Sequence, residues 1–354
     1  MTRKLATIRK IGKIQPIEKA DNIVLAEVDG WHVIVRKDEF KEGDLAIYVE
    51  IDSVLPPEPR FEFLKSKNYR IKTLKMKGVI SQGICFPMSF LPSGVFKEGD
   101  EVTELLGIKQ YSPDMDDPPV KKKESLWEKI KAFFGFGIYN NGKYKFPSHL
   151  VSKTDQERIQ NCKWAISAMH REALPHVSEK LDGMSATYLL EKKSFGRYVF
   201  SVCSRNYGLK EDNSAYWEIA RKYDIKEILK KYIDYYEVEW VCIQGEIIGE
   251  KIQKNRYHIK GIDFYVFNII DNELGMINAH KYKGILSFIG GNLKQVPVLN
   301  FADYNVNTVD EILEKANGES ALYPTPREGI VVRCDAEGFS FKAISNEFLL
   351  KHKL

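Results

Sequence analysis

Short apolar stretches alternate with turns through the first third of the chain. Ile23 to Val28, Trp31 to Val35, Leu45 to Ile51 and Gly78 to Phe86 are rich in β-branched and aromatic residues, and Asp29-Gly30 and Gly43-Asp44 punctuate them. Runs of that length with such turn dipeptides predict strands. Residues 1–106 are therefore expected to form a small β-barrel. Phe-Lys-Glu-Gly-Asp occurs twice, at Phe40 to Asp44 and Phe96 to Asp100, and predicts two similar turns, since two copies make no repeat array.

From residue 107 to 145 the pattern changes to Ser112-Pro113-Asp114, Asp116-Asp117-Pro118-Pro119 and Lys121-Lys122-Lys123, the composition of a linker. Inside it Leu126, Trp127, Ile130, Phe133 and Phe134 recur at helical spacing and predict a short amphipathic helix packed on a domain. Its polar side mixes Glu124 and Glu128 with the lysines, which argues against a membrane-surface helix.

Residues 146–354 read as strands with helices interspersed irregularly. Strands are expected at Thr187 to Leu190, Tyr198 to Cys203, Glu237 to Ile248, Phe264 to Ile270, Gly329 to Arg333 and Phe339 to Ile344, with a helical stretch from Tyr216 to Tyr232. This is the pattern of an α+β domain dominated by antiparallel sheet. A further helix start is expected at Thr154, where Glu157 completes a capping-box spacing.

Length and composition add limits. The 354 residues, 44% hydrophobic and 12% aromatic, suffice for two ordinary cores. With 53 Lys plus Arg against 49 Asp plus Glu, any nucleic-acid surface has to be a local arrangement. Cys85, Cys162, Cys203, Cys242 and Cys334 are scattered within apolar runs, which predicts buried thiols in a reducing compartment and implies no zinc site. No window approaches the ~20 apolar residues of a membrane span, and Met1 to Leu5 resembles no signal peptide, so an intracellular, soluble protein of cytoplasm or nucleus is expected.

The chemistry centres on Lys180-Leu181-Asp182-Gly183. A lysine becomes a nucleophile only as the neutral amine, and reaching that form at pH 7 from a pKa near ~10.4 costs roughly 4 to 5 kcal/mol. Alone, the tetrapeptide also fits a solvated surface turn. The segments after it change that. Ser204-Arg205-Asn206, Gln244-Gly245-Glu246, Phe264-Tyr265-Val266-Phe267, Arg327-Glu328-Gly329-Ile330-Val331 and Ser340-Phe341-Lys342 follow in an order that resembles the motif series of the covalent nucleotidyltransferases. The stretch Ile248 to Tyr257 is most similar to ATP-dependent RNA ligases. The chain contains neither G-x-G-x-x-G nor a Walker A sequence.

That resemblance implies a role for each position. Lys180 would attack the α-phosphorus of ATP and become AMP-lysine, while Lys342 would touch the same phosphate and, by repulsion, help depress the Lys180 pKa. Asp182 and Glu328 would stand near Mg²⁺ or Mn²⁺, mostly through waters. Glu246 would accept the ribose hydroxyl, Phe267 would stack on adenine, and Glu179, Glu328, Arg205 and Arg158 would complete the nucleotide site, Arg158 toward the β- and γ-phosphates. Each has a structural alternative: Phe267 as plain core, Lys342 on an exposed strand face, Asp182 and Glu328 as turn or salt-bridge residues. Where many relatives carry a second late lysine, this chain has Ile344. Asn268 stands where related enzymes often have an acid.

After the last motif only Ala343 to Leu354 remain, far fewer than the roughly 50 residues of the smallest domains, so no C-terminal OB-fold is expected. The first barrel, with Val28-Asp29-Gly30-Trp31 and Ile51-Asp52-Ser53-Val54-Leu55-Pro56, is similar to the N-terminal OB domain of one RNA-ligase branch. Arg70, Lys72, Lys75 and Lys77 beside Tyr69 fit a basic strand face that would follow a nucleic-acid backbone, and equally a set of solvated surface charges. The implied function is an ATP-dependent ligase of RNA ends or nicked RNA-containing duplexes, without membrane or obligate protein partner. A capping guanylyltransferase and a noncatalytic OB-fold RNA-binding protein are the alternatives.

Overall fold

The computed structural model describes residues 3–111, 143–171 and 175–352. Most of the expected linker and its helix (Leu126, Trp127, Ile130, Phe133, Phe134) lie outside them. Two compact units result, Met1–Lys122 with Leu349–Leu354, and Lys123–Phe348.

The first unit is built of short strands: β1 (Ala6–Lys10), β2 (Ile14–Pro16), β3 (Ile23–Val28), β4 (Trp31–Arg36), β5 (Leu45–Val49), β6 (Ser53–Val54), β7 (Leu74–Met76), β8 (Val79–Ser81), β9 (Ile84–Pro87) and β10 (Lys109–Gln110). They pair as β1-β5-β9, β2-β3-β4, β7-β8 and β10-β6. The expected strand Gly78 to Phe86 is two, because Gln82 and Gly83 interrupt it between β8 and β9. In β4, Trp31, Val33 and Val35 point inward and the residues between them do not, the alternation of a strand with one wet face. Trp31 and Tyr48, both fully buried, anchor one half of the core, and Ile8, Ile47 and Phe61 the other.

The basic stretch does not form one strand face. Arg70 pairs with Asp52 at 2.6 Å and lies over the Tyr111 ring, 3.3 Å from its centroid. The Tyr69 hydroxyl donates to Glu62 at 2.9 Å, and Lys75 Nζ donates to the Leu350 carbonyl at 2.7 Å. Only Arg70 and Lys72 of the four meet in one cleft, of about 330 Å³, where Ser66, Lys67, Asn68 and Tyr111 join them. Of the four basic residues only Lys75 lies within a strand, β7 (Leu74–Met76), so the run has no common strand face.

The second unit continues with β11 (Lys143–Lys145), β12 (Glu157–Arg158), β13 (His176–Lys180), β14 (Met184–Lys192), β15 (Tyr198–Ser204), β16 (Tyr207–Leu209), β17 (Trp240–Gly249), β18 (Ile262–Asp271), β19 (Gly275–Met276), β20 (Lys294–Gln295), β21 (Val298–Leu299), β22 (Gly329–Cys334) and β23 (Phe339–Ile344). Its helices are α1 (Trp164–Met169), α2 (Ala215–Lys222), α3 (Ile225–Tyr236), α4 (Tyr282–Ile289), α5 (Val309–Ala316) and α6 (Asn346–His352), the last running into the residues grouped with the first unit. An eight-stranded sheet follows the order β11-β16-β15-β14-β17-β18-β19, with β20 beside β18. A five-stranded sheet follows β12-β23-β22-β13-β21.

β17 and β18 show no alternation because both faces of the large sheet are covered. Ile219, Ile225, Leu229 and Ile233 of α2 and α3 pack on one side with Ile243 and Phe264, and Phe146, Val151 and Leu189 join Cys242 on the other. The expected single helix Tyr216 to Tyr232 is two, since Asp224 adopts a left-handed conformation between α2 and α3. That residue type tolerates it. All five cysteines are buried and free, as their apolar surroundings predict.

The expected helix start at Thr154 is absent. Glu157 and Arg158 instead pair in parallel with Phe341 and Lys342 of β23, and the next α-helix begins at Trp164. Thr154 turns its hydroxyl to Ser185 at 2.6 Å, and Glu157 accepts from Asn161 at 2.8 Å. Long-range strand pairing has outweighed a local cap worth about 1 kcal/mol.

Candidate active site

The site forms where the chain crosses from the small sheet to the large one. Lys180 ends β13, three residues turn, and Met184 opens β14. The turn is tight: a Cβ on Gly183 would stand 2.3 Å from the Ile247 carbonyl oxygen, so only glycine lets β14 close on β17. Gly329, the strand neighbour of Lys180 in β22, is bound the same way, at φ +156° with a virtual Cβ 2.1 Å from the Ala343 carbonyl oxygen. The two glycines bring Lys180 and Glu328 side by side.

Lys180 Nζ donates to Glu328 Oε2 at 2.7 Å, and its side chain keeps 26% exposure while that of Glu328 keeps 7%. Burial pulls the Lys180 pKa down, but Glu328, then Glu246, and also Asp182 more than offset it, leaving the pKa above that of an ordinary lysine. In this state Lys180 is an ammonium. Glu246 is pushed up to about 8, first by burial and then by Glu328 and Asp182, although Lys180 opposes the shift. It accepts the Gly183 N–H at 3.1 Å.

Asp182 is held from both ends. Arg256 Nε donates to its carboxylate at 2.5 Å, and the Tyr257 hydroxyl accepts its backbone N–H at 2.7 Å. Arg256 also lies over the Phe348 ring, 5.0 Å from its centroid. Both partners come from the loop between β17 and β18, where Lys251, Gln253, Lys254, Asn255 and His258 all have positive φ. Such conformations cost of order 1 kcal/mol each, and they aim Arg256 and Tyr257 back at the turn.

Lys342 occupies a different corner. Its amine donates to Asp155 Oδ1 at 3.2 Å, and Arg205 reaches the same oxygen at 2.9 Å. Burial, then repulsion from Lys180 and Arg158, lowers the Lys342 pKa to about 8 against the pull of Asp155. The expected repulsion between the two lysines is therefore present, but Lys342 takes the depression and Lys180 does not. The reason is local charge: Lys180 faces three carboxylates, Lys342 faces one carboxylate and several cations. Arg158 is the strand neighbour of Lys342 across β12 and β23.

Glu179 and Phe267 lie apart from these polar groups. Glu179 points to the opposite face of β13 from Lys180, buried, and accepts the Ala321 N–H at 2.9 Å; burial raises its pKa. Phe267 packs on an apolar group of Leu181, Tyr265, Val296 and Leu322 directly beside the Lys180 turn. Its carbonyl accepts from Arg333, which also donates to Asn268. Asn268 is thus a buried structural amide, also bonded to Gln244 at 2.7 Å. The arrangement can hold a nucleoside against Phe267, its sugar toward Glu246, and a phosphate between Lys180, Lys342 and Arg205.

Comparison with known proteins gives the family. An OB-fold domain profile matches residues 5–88, and an RNA ligase profile matches residues 176–344. The Naegleria gruberi RNA ligase, solved as a lysine-to-alanine mutant with ATP and Mn, is 34% identical across 99% of this chain and 99% of its own, with a TM-score of 0.74. This chain belongs to the ATP-dependent RNA ligase family. The same Naegleria ligase solved with PPi gives a TM-score of 0.73 and another lysine mutant without ligand gives 0.75, each at 34% identity and 99% coverage of both chains. No curated protein matches. The first unit of this ligase is accordingly an OB-fold domain, followed by a sheet-rich α+β domain.

Sequence reading gave no role to three residues that the structure brings to this cluster: Asp155, Arg256 and Tyr257. Arg256 and Tyr257 lie in the Ile248 to Tyr257 stretch that carried the resemblance, so a signal existed without a role attached. Asp155 lies in the Lys153 to Asn161 stretch, which is similar to the ligase element before the nucleotide pocket, but its pairing with Lys342, 187 residues away, had no signal.

Proposed function

We propose that this RNA ligase forms AMP-lysine at Lys180, passes AMP to a 5′-phosphate end, and seals that end to a 3′-OH RNA end at nicks or bridged breaks. What carries the reading is Lys180 set at the sheet crossing, 2.7 Å from Glu328, with Glu246 and Asp182 around it. In the first step the Lys180 Nζ–P bond forms as the bond from the α-phosphorus to the pyrophosphate oxygen breaks. Nζ must lose a proton first, and the Glu328 carboxylate is the acceptor in contact. Lys342 and Arg205 would hold the α-phosphate, Arg158 the outer phosphates, Glu246 the ribose and Phe267 the adenine. Glu179, held by the Ala321 N–H, would shape the adenine end.

A divalent metal fits this pocket by charge. Glu328, Glu246 and Asp182 stand against Lys180 and Arg256, and Glu246 is driven toward protonation first by burial and then by the neighbouring Glu328 and Asp182. Among the described residues no group of three or more His, Cys, Asp or Glu side chains forms a ready metal cage. Asp182 and Glu328 would therefore hold Mg²⁺ or Mn²⁺ through its waters, and the bound charge would help Lys180 shed its proton. The Naegleria ligase was solved with ATP or AMP and Mn. As domains we assign 1–106 to the OB-fold, 107–145 to the linker and 146–354 to adenylyl transfer. No helix among the described residues is long and apolar enough to cross a membrane.

The test is incubation with Mg²⁺ and α-labelled ATP or GTP, beside Lys180→Ala. Labelling by ATP that vanishes in the variant supports the site. Labelling that survives in the variant defeats it, and labelling by GTP alone moves the chain to the capping class. Nicked duplexes with RNA or DNA at the 3′-OH side then define the substrate, and sealing that ignores the sugar would refute an RNA requirement.

A further inference from the structure

One carboxylate in the site has no part in the chemistry above. Asp155 Oδ1 takes the Lys342 amine at 3.2 Å and the Arg205 guanidinium at 2.9 Å. It comes from a loop 50 residues before Arg205 and 187 before Lys342, and its side chain is 46% exposed. We propose that Asp155 is a positioning residue for adenylylation, acting through Lys342 and Arg205 to align both cations on one phosphate. This rests on the reading of Lys342 as a phosphate contact.

The argument is electrostatic. Two cations converging on one point repel each other, and a shared anion offsets that repulsion before substrate arrives. An ammonium carries three donors and a guanidinium five, so one shared oxygen leaves donors for phosphate. Asp155 also guards the charge of Lys342. Arg158 on β12, Lys180 on β13 and Arg205 after β15 are all cationic, and among the groups that resolve as acting on Lys342 only Asp155 holds its proton on. Helix α5 packs against β23 on the side of Phe341 and Ala343, through Ile312, Leu313 and Ala316, so its Asp310, Glu311, Glu314 and Lys315 lie across the strand from Lys342. The burial of the amine already brings its pKa to about 8. Without Asp155 it should titrate lower and be neutral at working pH.

Single-turnover AMP-lysine formation, measured as kcat/KM for ATP between pH 6 and 9.5, tests this in the full chain, since that ratio reports ionisations of the free enzyme. Asp155→Asn should move the alkaline limb about one unit toward acid, so the defect is ~10-fold above the limb and shrinks to within ~2-fold near pH 6. Asp155→Glu should restore most of the activity. In Asp155→Asn with Lys342→Arg the pH dependence of the defect should vanish, because arginine keeps its charge. A defect of equal size at every pH, or none, overturns the proposal, as does a pH-dependent defect that persists in the double variant. Lys342→Ala separates the two levels: full activity there sinks the phosphate-contact reading itself, whereas an inactive Lys342→Ala beside a flat Asp155→Asn profile sinks only the role of Asp155.

Discussion

The two lysines of the site lie in opposite electrostatic surroundings. Lys180 ends β13 among Glu328, Glu246 and Asp182 and is held protonated, with its pKa raised. Lys342, on β23 of the same sheet, faces Asp155 alone against Lys180, Arg158 and Arg205, and its pKa falls to about 8. Identical side chains thus have pKa values displaced in opposite directions, although both carry their protons below about pH 8. The residue proposed as nucleophile rests in its unreactive form, and the residue proposed to hold phosphate is the easier of the two to deprotonate. Under the proposed reading, activation would consist of lifting carboxylates off Lys180, which a dication held by Asp182 and Glu328 would assist, more than of a neighbouring lysine pushing its proton away.

The strongest way to break this comparison is to change the acidic side. Glu328→Gln removes the contact that keeps Lys180 charged but also the carboxylate proposed for the metal and the proton. AMP-lysine formation should fall by roughly 10²- to 10³-fold, and a rate equal to wild type in a quenched-flow assay would show that freeing Lys180 needs no acid at 328. Next comes Arg256→Ala, which leaves Asp182 buried beside Glu246 and Glu328 without its ion pair. Adenylylation should drop about 10- to 100-fold, with the metal concentration for half-maximal rate raised; an unchanged metal dependence would uncouple Asp182 from the metal.

The pH profile sharpens the contrast. Because Lys342 loses its proton through about pH 8, kcat/KM for ATP should be sustained below that pH and decline above it. Glu246 also titrates near 8, from protonated to charged as pH rises. Lys342→Arg distinguishes them, since a decline that moves well above pH 8 belongs to Lys342 and one that stays belongs to Glu246. The smallest expected effect lies outside the polar site: Phe267→Leu keeps apolar volume but loses the ring face, so KM for ATP should rise about 3- to 10-fold with kcat little changed. A kcat loss without a KM change would assign Phe267 to the core.

The contrast also shows where sequence reading reached and where it stopped. β3 and β23 lie where alternating and apolar runs placed them, and the order of motifs led to Lys180, Glu328 and Lys342 in one site. The capping-box spacing at Thr154 failed because a parallel partner, β23, competes for the same backbone. The basic run at Arg70 to Lys77 forms no shared face because Arg70 is held by Asp52 and Tyr111 while Lys75 donates to the Leu350 carbonyl.

What the chain determined by itself is whatever depends on neighbours in sequence: strand periodicity, the turn glycines, the kinds of side chain available for nucleotidyl transfer and the family they mark. Protonation was beyond it. A pKa depends on burial and on charges a few ångströms away, and most of those charges come from residues 50 to 187 positions apart, brought together only when β12 pairs with β23 and β13 with β22 in one sheet, and β14 with β17 in another. Only the folded arrangement of Asp155, Glu246 and Glu328 decided which lysine holds its proton more tightly.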